Sequence, residues 1–152
     1  RGSAHQGLRE YQAPVEYGRS EIIRKGKKIA VLGVGSMIPS CMEICKGLKD
    51  DGYDPTFVTA RFVKPLDVDL LDELAKDHSL FVTVEENVKS GGYGEHVSAY
   101  MEACHPEIRV LSAAVWDRFV PQGNVESLRS RIGLGVEDIR QAIEDSEELR
   151  EQ

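Results

Sequence analysis

The chain has 152 residues, 41% of them hydrophobic and 30% charged, with a formal net charge of −7. That length suits one domain able to bury about 68–70% of its unfolded surface. The acidic balance argues against bulk nucleic-acid binding, and no apolar run approaches the ~20 residues that cross a bilayer.

Residues 1–14 are polar, hold two glycines and a proline, and show no sustained periodicity, so they read as an arm or linker from a preceding domain. Residues 17–23 and 28–33 are separated by Arg24-Lys25-Gly26-Lys27, which predicts a hairpin with Gly26 supplying the turn. One antiparallel strand therefore comes before the first parallel one. The pattern then alternates: strand 29–32, helix 39–51, strand 56–59, helix 67–77, strand 80–84, helix 92–104, strand 108–111. Two further helices are predicted near 125–132 and 136–146, giving a domain over 15–148 and a tail over 149–152. Such alternation implies βαβ units with helices on both faces of the sheet. Asp67, before Leu70, Leu71 and Leu74 at helical spacing, is a natural helix N-cap worth ~1 kcal/mol. Gly52 and Gly133 read as C-terminal stops.

Charge is unevenly spread. Residues 1–28 hold seven Lys/Arg against three acids, and residues 137–152 hold seven acids against two Arg. These read as solvated faces, with a basic arm resting on a neighbouring domain or subunit as the alternative. The three cysteines, Cys41, Cys45 and Cys104, are too few and too odd in number for a secreted disulfide framework. The first residues lack the apolar core of a signal peptide. The expectation is a soluble, cytoplasmic domain.

Three segments stand where the carboxyl edge of a parallel sheet is expected: Arg61-Phe-Val-Lys-Pro-Leu-Asp67, Glu85-Glu-Asn-Val-Lys-Ser-Gly-Gly-Tyr-Gly94 and Asp117-Arg-Phe-Val-Pro-Gln-Gly123. Open α/β sheets bind their ligands at that edge. Arg61, Lys64, Lys89 and Arg118 give it a concentration of cations suited to a phosphate or to acidic groups of a neighbour. Glu85 and Glu86 end one strand and point to opposite faces, so they do not flank a single glycosidic bond. One of them is expected to pair with Arg61 or Arg118, or to accept backbone amides from the Ser90-Gly91-Gly92 loop. Gly33-Val-Gly35-Ser36 occupies the place of a phosphate-binding turn. A dinucleotide fingerprint would need a glycine where Ile38 stands and an acid where Thr59-Ala60-Arg61 stands, so a plain tight turn is the stronger reading. Cys41, Cys45, Cys104 and His105 match no common zinc spacing, and the first two read as core. No histidine sits in a known nucleophile motif.

The three segments, in this order and spacing over residues 15–145, closely resemble the C-terminal domain of 1-deoxy-D-xylulose-5-phosphate synthases. More loosely, the chain is similar to the C-terminal domain shared by transketolases and 2-oxoacid dehydrogenase β chains. The resemblance implies a three-layer αβα domain with a five-stranded, mostly parallel sheet and one antiparallel edge. It implies a longer enzyme that condenses pyruvate, with loss of CO₂, and glyceraldehyde 3-phosphate, using thiamine diphosphate and Mg²⁺. That reaction serves isoprenoid, thiamine and pyridoxal precursor synthesis. The Gly-Asp-Gly diphosphate motif of such enzymes is absent, so this chain alone is expected to be inactive and to bind no cofactor. Its partners would be the upstream domains of the same chain and a second subunit in a homodimer, with Arg61, Glu85, Glu86 and Arg118 at the interface and no nucleic acid or membrane involved. Arg1-Gly2 matches the end of a Tyr-Pro-Arg-Gly segment whose Arg binds the aldehyde's phosphate, although Arg-Gly-Ser is also a common expression remnant. Trp116 stands where these domains usually have Pro, and Tyr93 and Glu95 replace small residues of the glycine loop. The alternatives are the equivalent domain of another transketolase or 2-oxoacid dehydrogenase, or a stand-alone small-molecule-binding or oligomerisation module.

Overall fold

A computed structural model describes residues 18–60, 65–86, 92–115 and 135–151. Five strands form one sheet in the order β1-β3-β2-β4-β5: β1 (Glu21–Arg24), β2 (Lys28–Val34), β3 (Thr56–Ala60), β4 (His78–Glu86) and β5 (Arg109–Val115). β1 pairs antiparallel with β3, and the other pairs are parallel. Four α-helices accompany them: α1 (Ile38–Asp50), α2 (Val68–Leu74), α3 (Tyr93–Cys104) and α4 (Val136–Glu151). The expected helix near 125–132 and the stop at Gly133 lie outside the described residues.

β2 and β4 are buried on both faces, which explains their near-continuous apolar runs. Alternate residues feed two cores. Ile29, Val31, Leu80, Val82 and Val84 pack against Ile44 and Leu48 of α1 and Ile139 and Ile143 of α4. Ala30, Leu32 and Phe81 pack against Leu71 and Leu74 of α2 and Val97 and Met101 of α3. Helices therefore cover both faces, and the three-layer αβα arrangement is the one the sequence predicts.

The predicted hairpin is not formed. β1 and β2 flank β3 instead of pairing with each other, so the link between them crosses the amino end of β3. It spans two strand spacings, about 9.5 Å, within the reach of a short extended segment. Close backbone contact holds it there: Lys27 N–H donates to Asp54 O at 2.8 Å, and Gly26 N–H to Thr56 Oγ1 at 2.8 Å. Arg24 adds a 2.7 Å bond to Pro55 O and a 2.7 Å pair with Asp54. Lys28 turns the chain into β2 at φ +72°. Thr56 Oγ1 also lies 2.7 Å from Nε2 of buried His78, whose Nδ1 is 2.8 Å from Leu74 O. A relay from Gly26 through Thr56 and His78 to Leu74 thus ties three connections together at the amino edge.

Side-chain pairs join the outer helices. Asp72 of α2 accepts from Tyr100 Oη and His105 Nε2, each at 2.7 Å, which holds its carboxyl below the usual range. Arg109 of β5 meets buried Glu147 of α4 at 2.7 Å. Arg140 of α4 lies over Gly47 of α1 and pairs with Asp51, Glu137 and Glu144.

A methyl group on Gly26 would lie 2.1 Å from Asp54 O and 2.6 Å from Pro55 O, both backbone atoms. Gly26→Ala should therefore cost at least about 2 kcal/mol, measured as a fall in the urea midpoint at unchanged slope.

Candidate functional site

β3, β4 and β5 run parallel, so the segments that follow them all begin at one edge of the sheet. The connections after β2 and β4 leave toward opposite faces, α1 joining the α4 side and α3 the α2 side. Between these two carboxyl ends lies the topological switch point, where the crevice of an open α/β sheet forms.

On the α3 side of the crevice, Glu85 ends β4 by folding onto the start of α3. Its Oε1 accepts Tyr93 N–H and its Oε2 accepts Gly94 N–H, both at 2.9 Å. Free amides at a helix N-terminus favour a negative group, and a carboxylate bound to two of them contributes about 1–2 kcal/mol. The amides it takes are the two that follow the expected Ser90-Gly91-Gly92 loop. Gly94 sits where α3 touches the sheet: a methyl there would lie 2.6 Å from Thr83 Oγ1, 2.8 Å from Glu85 Oε2 and 3.0 Å from Ser112 Oγ. Thr83 is fully buried, and among the described residues its Oγ1 has no hydrogen-bond partner; neither has the buried Nε2 of His96. Tyr93 is 2% exposed and packs among Ala60, Leu71 and Val97. Burial, then the charges of Asp67 and Glu85, drive its phenol well above the usual range.

Asp67 occupies the corresponding place before α2. As the sequence predicts, its side chain caps the helix, Oδ1 accepting Leu70 N–H at 3.2 Å. It does more than that. Oδ2 accepts Ser20 N–H at 2.8 Å, Arg19 approaches Oδ1 at 3.2 Å, and Arg19 also reaches Asp69 at 3.1 Å. Sequence reasoning missed this contact, because nothing in the polar run before β1 marks where it will lie.

The remaining candidates are dispersed. Glu86 is exposed at the end of β4, on the opposite side of the strand from Glu85. Arg1, Arg61, Lys64, Lys89 and Arg118 lie outside the described residues. Gly33 is needed for packing: a methyl on it would lie 2.5 Å from Cys41 Sγ. Gly35 turns the chain at φ +47° into a short 3₁₀ turn, Gly35–Met37, with open space around its α-carbon. Cys41 and Cys45 are core residues, whereas Cys104 is exposed at the far end of α3. Burial raises the Cys41 thiol strongly and pushes Cys45 up to about 12. Among the described residues no three His, Cys, Asp or Glu side chains converge as a metal site requires, and no helix is long and apolar enough to cross a membrane.

Residues 18–139 match the family described as transketolase, C-terminal domain. The chain belongs to that family. As a transketolase C-terminal domain it is similar to the 1-deoxy-D-xylulose-5-phosphate synthase of Lachnoclostridium phytofermentans, 37% identical over 140 residues, with 91% of this chain and 22% of the relative covered. The synthase of Dictyoglomus thermophilum is 39% identical over 137 residues, covering 90% and 22%. The chain thus spans about a fifth of the length of these relatives. Among solved structures, a split-gene transketolase described as an inactive beta4 tetramer superposes with a TM-score of 0.71 at 28% identity, covering 88% of this chain and 43% of that one. The transketolase of Campylobacter jejuni shares the fold, with a TM-score of 0.53 at 17% identity and 84% and 18% covered.

Two outcomes check this geometry. Gly94→Ala should lower stability by about 1–3 kcal/mol in urea unfolding, because Thr83 and Glu85 are both held and cannot move aside. Iodoacetamide at pH 8 should alkylate Cys104 at least tenfold faster than Cys41 or Cys45, since only a thiolate reacts and only Cys104 is open to solvent; peptide mass spectrometry reads the order directly.

Proposed function

We infer that this chain is the C-terminal domain of a 1-deoxy-D-xylulose-5-phosphate synthase. That enzyme joins pyruvate to glyceraldehyde 3-phosphate with loss of CO₂, for isoprenoid, thiamine and pyridoxal precursor synthesis. The observation that carries the reading is 37–39% identity to synthases over nine-tenths of this chain, matched to about a fifth of their length. The cytoplasm is its proposed place.

Thiamine diphosphate and Mg²⁺ would belong to the rest of the enzyme. The residues of this chain do not fit them: no Gly-Asp-Gly occurs in the sequence, and no cluster of metal ligands occurs among the described residues. No catalytic acid or base is assigned to this domain, and alone it is inactive. Its part is positional. The carboxyl edge, with Glu86 exposed and Glu85 committed to α3, would face the cofactor-binding domains of its own chain and of a second subunit. Arg61 and Arg118, which follow β3 and β5 in sequence, would form the cationic side of that interface, while Arg1 would contribute to the aldehyde's phosphate site. Excluding water and fixing the geometry of two reacting groups is a sufficient contribution for a module without reactive side chains.

Joined to the rest of its polypeptide and supplied with thiamine diphosphate and Mg²⁺, the protein should make 1-deoxy-D-xylulose 5-phosphate from pyruvate and glyceraldehyde 3-phosphate, and this chain alone should not. Use of a ketose phosphate in place of pyruvate would move the reading to a transketolase. In the complete protein Arg118→Glu should weaken subunit association at least tenfold, about 1.4 kcal/mol, by sedimentation equilibrium. Unchanged association and turnover would remove Arg118 from the interface.

A further inference from the structure

The chain enters the domain at the same edge from which its loops emerge. β1 is antiparallel to β3, and Glu21 stands opposite Thr59, so the residues before β1 lie beside the carboxyl end of β3. Three consecutive residues there grip the turn that leads into α2. Gly18, at φ +74°, leaves 3.0 Å between a would-be methyl and Pro65 Cγ. Arg19 pairs with Asp67 at 3.2 Å and Asp69 at 3.1 Å. Ser20 N–H donates to Asp67 Oδ2 at 2.8 Å. Asp67 is the hub, its side chain 7% exposed, and the same carboxylate caps α2.

A helix cap needs one carboxylate oxygen and no partner from elsewhere in the chain. Here the second oxygen takes a backbone amide 47 residues away, and a left-handed glycine brings that amide within reach. These contacts fix the heading of the backbone at Gly18 relative to Pro65 and the start of α2.

The geometry points to Asp67 as a positioning residue: through Ser20 and Arg19 it holds the entering chain at residues 18–20 against the turn that leads into α2 at the carboxyl edge. It touches no reacting group. The consequence for turnover rests on the synthase reading; the clasp itself does not.

Trypsin cleavage at Arg19–Ser20 in the 152-residue chain tests the clasp, because the bond is cut only after Arg19 and Ser20 leave Asp67. Cleavage should be at least tenfold faster in Asp67→Ala than in wild type. Asp67→Asn, which keeps one acceptor oxygen, enough for Leu70 or Ser20 but not for both, and loses the charge opposite Arg19, should be cut at an intermediate rate. Tyr100→Phe loses the bond to Asp72 away from the clasp and should leave the rate unchanged. Equal rates in wild type and Asp67→Ala, or equal acceleration in Tyr100→Phe, would overturn the clasp. In the complete protein Arg19→Ala, which leaves the α2 cap intact, should lower turnover at least threefold at unchanged Tm; full turnover would overturn the positioning role. A complete wild-type protein without synthase activity would defeat the functional reading alone, and the proteolysis would still decide the clasp.

Discussion

A helix laid across a parallel sheet begins at the carboxyl edge with backbone amides that no turn of the helix satisfies, and on one face of this domain carboxylates meet that need twice. Asp67 caps α2, and Glu85 accepts two amides of α3. Each negative group sits at the positive end of a helix dipole, so dipole and hydrogen bonds favour the same placement. Buried Tyr93 senses both carboxylates and fills part of the space beneath the two helices. The position of both helices on the sheet, and so the shape of the functional edge, depends on these two side chains.

Close contact explains why glycines matter where they do. Gly94 lets α3 approach Thr83 and Ser112, Gly33 lets α1 approach β2 through Cys41, and Gly26 lets the β1–β2 link pass over Asp54 and Pro55. None of the three lies at positive φ. Their common role is the absence of a side chain at a close contact, a different requirement from the left-handed turns at Gly18, Gly35 and Gly52. A glycine motif that resembles a phosphate cradle in one dimension is, at Gly33, a helix-packing contact in three.

Much of this was legible in the sequence because the signals were local. The runs at β2, β3 and β4 alternate with amphipathic helices, Asp67 precedes three leucines at helical spacing, and Gly52 ends α1 at φ +99°. The pairing of β1 was misread because turn chemistry at Gly26 says only that the chain bends. It does not say whether the next strand lies beside the last or one place beyond it. Backbone contact with Asp54 and Pro55 decides that, and contact between distant backbones leaves no mark on local periodicity. β5 runs to Val115, four residues past its predicted end, because small Ser112, Ala113 and Ala114 look like a break yet continue the ladder with Thr83, Val84 and Glu85. For the site, adjacency on a strand correctly separated the two glutamates, whereas the link between Asp67 and Ser20 joins segments that share no pattern.

The two ends of the sheet divide the work. At the amino edge Gly26, Thr56, His78 and Leu74 form a relay of hydrogen bonds, buried from Thr56 to Leu74, with the Asp77 carboxylate 2.7 Å from His78 Nδ1. If Thr56 donates to Nε2, the Nδ1 proton is shared between Leu74 O at 2.8 Å and Asp77 Oδ1 at 2.7 Å, so both ring nitrogens are satisfied. Such a relay locks connections together and offers a partner nothing. The carboxyl edge is charged, and two of its carboxylates, Asp67 and Glu85, are engaged by the domain's own amides. In the proposed enzyme this would let a module without an acid or base of its own govern a reaction carried out by its neighbours. The demand on it is a fixed heading of the entering chain against the turn into α2, and Asp67 is where those two meet.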